Sequence, residues 1–177
     1  MADDRQSGSY GQSERVTFRE PACSHAADVW ALIALCPQLD RNSLYCELLH
    51  CTHFADTCTV AERVGEVVGW LSAYRPPSEP STLFVWQIAV HPAVRNTGVG
   101  KGLIVSALNR PCNKSVTHIK ATVALTNKAS NFLFATLAQE LDVPIRQAPW
   151  FDRDAHFKGR YESEHMIAIG PIKLRAI

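Results

Sequence analysis

The stretch VHPAVRNTGVG at 90–100 constrains the fold more than any other part of the chain. An apolar strand, TLFVWQIAV at 82–90, runs into a turn holding one arginine and two glycines, and an apolar periodic run resumes at Val99. Strand, glycine turn and helix start in that order aim unpaired backbone N–H groups and the positive helix end at one point. The junction predicts an α/β fold with an anion held at the turn.

Two phosphate-binding patterns fail on spacing. A nucleoside-triphosphate loop needs a glycine five residues before Gly100 and a Ser or Thr after Lys101, where the chain has Arg95 and Gly102. A dinucleotide fingerprint needs glycine at 103 and meets Leu103. The pattern that does match is Arg95-x-x-Gly98-x-Gly100. It resembles the turn of the Gcn5-related acetyltransferases, which binds the diphosphate of acetyl-coenzyme A. Glycine at 98 and 100 permits positive φ and close backbone approach, so the amides of Asn96, Thr97, Gly98, Val99, Gly100 and Lys101 are the expected donors, beside Arg95.

Further along, Asn127-x-x-Ser130-x-x-Leu133-Phe134 resembles the second cofactor segment of that family, in which an Asn side chain bonds the pantetheine arm. Asn127 is equally suited to cap a helix, and the two roles are compatible. Many members carry a tyrosine at the position of Phe134, where its hydroxyl protonates the leaving thiolate. A thiol with a pKa around 8.5 departs as thiolate without that help. Backbone groups of Ile88 and Val90 are expected to pair with pantetheine as a strand would, and an N–H near Ile88 or Ala89 to polarise the thioester carbonyl.

The rest of the chain fits one ordinary domain. With 18 basic against 17 acidic residues there is no global field for nucleic acid or an anionic membrane, and no apolar run is long enough to span a bilayer. A cytoplasmic protein is expected. The six cysteines form no CxxC pair and no regular spacing, so they predict free thiols and no metal site. Residues 1–14 are polar and predict a disordered arm, and 15–177 a single domain. Strands are expected at 16–18, 57–61, 66–74, 82–90, 117–125 and 161–169, the last closing the sheet. Helices are expected after Ser24, from Ser43 to His50, from Val99 to Leu108 and from Lys128 to Leu141. The fold class is α/β, a mixed, mostly antiparallel central sheet with helices on both faces.

A closer resemblance, from about Phe18 to Pro171, is to the L-2,4-diaminobutyrate acetyltransferases of ectoine synthesis. Its carriers are LDRNSLY at 39–45, HFADTC at 53–58, YRPP at 74–77, TLFVWQIAV at 82–90 and IGP at 169–171. The resemblance implies acetylation of the γ-amine of diaminobutyrate by acetyl-coenzyme A, and a homodimer. The chain departs from the family in having ALTN at 124–127, Gly102 where a basic or helix-forming residue is typical, and Tyr161 where relatives tend to have His.

Diaminobutyrate carries a carboxylate and two ammonium groups. At pH 7 an alkyl amine of pKa near 10.4 costs about 4 kcal/mol to deprotonate, less beside a second ammonium. Asp40, with Glu162 or Glu164, is the expected partner of the α-ammonium or relay for the γ proton. Tyr45, Asn42 and Ser43 are hydrogen-bond donors, Gln87 faces the cleft or braces it from below, and Tyr161 borders it. Arg41 or Arg75 is a candidate for the carboxylate. Trp86 is a pocket wall that packs over a cation and excludes water, or else a core aromatic. The expected chemistry is direct attack of the neutral amine, with Trp86, Tyr45 and Glu164 as the catalytic candidates. Other acceptors, such as a polyamine, and a non-catalytic acyl-coenzyme A sensor are the alternatives.

Overall fold

Each apolar run becomes an element that buries one face. In the computed structural model, which describes residues 15–172, the elements are β1 (Thr17–Arg19), α1 (Ala26–Ala34), α2 (Leu44–His50), β2 (Thr59–Arg63), β3 (Glu66–Tyr74), β4 (Thr82–Val90), α3 (Val99–Leu108), β5 (His118–Ala124), α4 (Lys128–Glu140), β6 (Ile145–Phe151) and β7 (Glu164–Ile169). The arm expected over 1–14 lies outside the described residues. The strands form one sheet in the order β1-β2-β3-β4-β5-β7-β6. Every pair is antiparallel except β4 with β5, because α3 carries the chain back across the sheet between them.

Helices cover both faces, as expected. Val29 and Ile33 of α1 pack with Val60, Trp70 and Ala89 on one face. Leu103 and Ile104 of α3 and Leu137 of α4 pack with Leu71, Leu83 and Ile119 on the other. Gly102 has a packing reason: a Cβ there would come within 2.8 Å of Cε1 of Phe18. The ring from β1 lies against α3 where a longer side chain would displace it.

The C-terminal strands need correcting. β7 does not close the sheet; it starts at Glu164 and lies between β5 and β6. β6, read from IRQAPWF, is absent from the expectation because its side chains are exposed throughout and Pro149 interrupts it. An edge strand tolerates both, since one side of its ladder is free. Ser24 also falls short of its expected role. A short 3-10 turn, Cys23–His25, precedes α1, and no side chain caps that helix. Ser43 does cap α2, its hydroxyl accepting from the Cys46 amide at 3.1 Å.

Candidate active site

The site is a cleft where two parallel strands part. β4 and β5 pair only at Thr82–His118, Leu83–Ile119 and Phe84–Lys120. Beyond Phe84 the edge of β4 that faces β5 is unpaired, and a cleft of about 1270 Å³ opens there. It is lined by Val85 to Ile88 on one side and Ala121 to Ala124 on the other. Ser72 lies opposite Gln87 and Ala73 opposite Val85, so Trp86 is the extra residue of a bulge in β4. A bulge re-aims its side chain. Trp86 is accordingly 53% exposed within an otherwise buried strand and lines the cleft.

The glycine turn follows Arg95, which lines the cleft; Ala89, Val90 and residues 96–101 do not line it. Asn96 (φ 63°) and Gly98 (φ 88°) take left-handed backbone, and Gly98 caps α3 without a side chain. The first helical bond runs from the Gly102 amide to the Gly98 carbonyl at 2.9 Å. Among the described residues, the amides of Asn96, Thr97, Gly98, Val99, Gly100 and Lys101 therefore have no acceptor. A run of free donors at a helix N-terminus fits a diphosphate. Arg95 lines the cleft, its Nε donating to the Val90 carbonyl at 3.2 Å, which ties the turn to the end of β4. The Lys101 ammonium is paired with Glu140 of α4 at 2.7 Å. Ala89 is buried, and Val90 is partly buried.

The opposite wall comes from α4 and β7. Asn127 caps α4, its Oδ1 accepting from the Ser130 amide at 3.1 Å; its Nδ2 has no acceptor among the described residues. Capping thus occupies Oδ1 and not Nδ2. Asn127, Ser130 and Phe134 all line the cleft, and Phe134 is also part of the core. Tyr161, Glu162 and Glu164 line it as well. Glu162 accepts a short hydrogen bond from the Thr126 hydroxyl. Tyr161 packs on Phe157, which packs on Phe151, so the segment between β6 and β7 closes this side with aromatic rings.

The third wall is the loop before α2. Asp40 and Asn42 line the cleft, and Gln87 braces the loop by donating from Nε2 to the Asp40 carbonyl at 2.8 Å. The Oε1 of Gln87 is buried without a partner. Tyr45 and Ser43 are corrected by the structure: neither lines the cleft, and Tyr45 is 67% exposed. At 100° per residue Tyr45 projects away from the helix face of α2 that looks inward. That face carries Glu47, fully buried, and His50, which the sequence reads only as a helix end. Glu47 accepts from Asn42 Nδ2 at 3.2 Å and faces His50 Nδ1 at 3.1 Å, and the His50 ring meets Trp86 edge-on at 4.9 Å. An E-x-x-H pair one turn apart, Glu47 and His50, was the available signal. Neither arginine candidate lines the cleft: Arg75 donates to the Pro80 and Cys112 carbonyls at 2.6 and 2.9 Å, and Arg41 stacks on Trp30 at 3.4 Å.

Cys46, Glu47 and His50 bring ligand atoms within 4.8 Å of one another. Both Glu47 oxygens are already engaged by Asn42 and His50, which makes this a hydrogen-bonded pair rather than a coordination shell. Burial, then the charge of Glu47, pushes the Cys51 thiol up to about 12 and the Cys46 thiol above its ordinary value. These thiols are poor nucleophiles.

The arrangement has known counterparts. The acetyltransferase (GNAT) family profile matches residues 26–138. The chain is similar to the L-2,4-diaminobutyric acid acetyltransferase of Methylotuvimicrobium alcaliphilum, 41% identical over 89% of this chain and 92% of that protein. It is also similar to the enzyme of the same name from Bordetella parapertussis, 40% identical over 89% of this chain and 85% of that protein. Among solved structures it matches the diaminobutyrate acetyltransferase EctA from Paenibacillus lautus, in complex with L-2,4-diaminobutyric acid and coenzyme A. That match has a TM-score of 0.87 and 35% identity, and covers 93% of this chain and all of that one. The family profile over most of the chain and relatives of this identity and coverage place it: the chain belongs to the L-2,4-diaminobutyric acid acetyltransferases of the GNAT family.

Proposed function

We propose that the chain moves the acetyl group of acetyl-coenzyme A to the γ-amine of L-2,4-diaminobutyrate, within one acetyltransferase domain over 15–177. The observation that carries this is the succession along the chain from β4 into α3: Trp86 and the unpaired edge of β4 at the cleft, then Arg95 in its lining, then free amides at 96–101. Acetyl-coenzyme A supplies the activated acyl group. The turn holds its diphosphate, the β4 edge from Ile88 to Val90 and Nδ2 of Asn127 hold the pantetheine arm, and Ser130 and Phe134 complete that wall. Trp86 covers the cationic acceptor and excludes water.

The amine end has the right charge for the acceptor. Asp40, Glu162 and Glu164 border it, while Arg95 stands toward the turn. Gln87 lines the cleft and holds the Asp40 loop by its Nε2, and Asn42 ties that loop to α2. Tyr161 walls the side next to Glu162. We take the protein to be cytoplasmic and homodimeric; the exposed edge β6, with Ile145 and Trp150 on its surface, supports a second copy.

Release of free thiol from acetyl-coenzyme A tests the acceptor. Diaminobutyrate is expected to give turnover at least tenfold above ornithine, lysine or spermidine, because the acidic groups fit two ammoniums at one spacing. Preference for spermidine would assign a polyamine acceptor. Cofactor binding with no turnover on any amine would assign a sensor.

A further inference from the structure

We propose that His50 is the group that takes the proton from the acceptor's γ-ammonium, with Glu47 as the positioning residue beneath it. The inference rests on the acceptor assignment above and adds the base to it. Glu47 sits in the core with no exposure, and His50 is 4% exposed. A carboxylate buried at this depth is costly unless its oxygens are engaged, and here Asn42 Nδ2 and His50 Nδ1 engage one each. A carboxylate only accepts, so Nδ1 carries the hydrogen and Nε2 keeps its lone pair. His50 lines the cleft, and its Nε2 has no hydrogen bond among the described residues. The ring is held edge-on to Trp86 at 4.9 Å and near Phe54 and Trp70. Packing against three aromatic rings and the hydrogen bond to Glu47 hold the ring, with Nε2 unbonded, in the lining of the cleft.

Of the three other acidic groups at the cleft, Glu164 lines it from the start of β7, and two are worse placed for this task. Glu162 is already bonded to Thr126, and Asp40 is exposed on the loop that Gln87 braces by its backbone. Imidazole is the side chain whose ordinary range spans neutral pH, which suits a base that must let go of its proton each cycle. The titratable groups around His50 are Glu47 and Cys46 on its own helix, Cys51 just after it, Cys58 before β2 and Asp40 on the facing loop. Burial raises Cys51 and Cys58 to about 12, so those thiols are neutral near pH 7.

The protons balance. An N–H bond of the γ-ammonium breaks, its electron pair stays on nitrogen, and the proton adds to Nε2. That pair forms the new C–N bond as the C–S bond breaks, its pair leaving on sulfur. The thiolate takes the proton from the imidazolium, and the second ammonium proton goes to water. One proton is released per acetyl group, and His50 returns to its starting form.

The test uses the full chain with His50→Gln and Glu47→Gln, assayed by thiol release on diaminobutyrate across pH 6 to 10. His50→Gln is expected to lower kcat by about a hundredfold at pH 7, with coenzyme A affinity unchanged. Its kcat is expected to keep rising with pH where the wild type levels off, as the amine loses its proton without help. Glu47→Gln presents an amide that donates to Nδ1, which puts the hydrogen on Nε2; a fall in kcat of about tenfold, with KM and melting temperature little changed, is expected. If His50→Gln fails to fold, Glu47→Gln decides by the same readings. An active wild type whose variants keep its kcat and pH profile overturns this inference alone. A wild type that binds coenzyme A but is inert toward diaminobutyrate overturns the acceptor assignment and this inference with it.

Discussion

Gly98→Val is expected to abolish measurable coenzyme A binding while leaving a folded protein. Gly98 stands at φ 88°, in the left-handed region, and a Cβ added there meets nothing within 4 Å. The substitution therefore makes no clash with the protein. It acts in two other ways. A β-branched residue at positive φ costs about 1–3 kcal/mol, and the turn relieves that strain by rotating the neighbouring amides out of alignment. The isopropyl group also fills the open space in front of those amides, where a phosphate has to come within hydrogen-bond distance. The two effects together predict an affinity at least about a hundredfold weaker. Gly98→Ala carries a left-handed cost of about 1–2 kcal/mol and little bulk, so a weakening of about tenfold is expected. Calorimetric titration with coenzyme A checks both variants, and unaltered affinity in the valine variant would contradict the assignment of the turn.

The second large effect is at Trp86. Trp86→Ala is expected to lower turnover on diaminobutyrate by about thirtyfold, since a desolvated cation over an indole is held by about 2 kcal/mol and water gains access to the reacting end. Coenzyme A affinity is expected to be unchanged, because the free amides of the turn and the unpaired edge of β4 do not depend on the indole. With the side chain 53% exposed, the fold loses little. The separation of the two readings is what matters. Turnover and cofactor affinity falling together would make Trp86 a structural residue of the bulge. Unaffected turnover would remove it from the pocket.

How much of this was legible in the sequence depended on whether the signal was local. β4 and α3 were readable to the residue, because an uninterrupted apolar strand, an arginine–glycine turn and an apolar periodic helix are each set by near neighbours. Asn127 was readable for the same reason: capping and contact with the cleft follow from its place one residue before α4. β6 was not, since an exposed edge strand has no buried face to impose alternation and its Pro149 argues against a strand. β7 was readable as a strand but not by its place, because which neighbours it finds depends on β6.

The acceptor end was the least legible. Tyr45 lies in a segment that resembles the family, yet the direction of its side chain follows from the rotation of a seven-residue helix. The same rotation turns Glu47 and His50 inward, and only the tertiary structure shows that Trp86, from a strand far along the chain, lies against His50. Gln87 shows the intermediate case. A polar residue in an apolar strand announces a bonded or cleft position, and it is both, with Nε2 on the Asp40 carbonyl and Oε1 unpaired.

The central claim is that main-chain amides at 96–101 and the open edge of β4 together seat the acyl donor. A crystal structure of the chain with acetyl-coenzyme A tests it most directly. The account predicts the diphosphate within hydrogen-bond distance of those amides, pantetheine running along Ile88 to Val90, and the thioester beside Trp86. A diphosphate bound elsewhere, with the turn and the β4 edge left untouched, would contradict it.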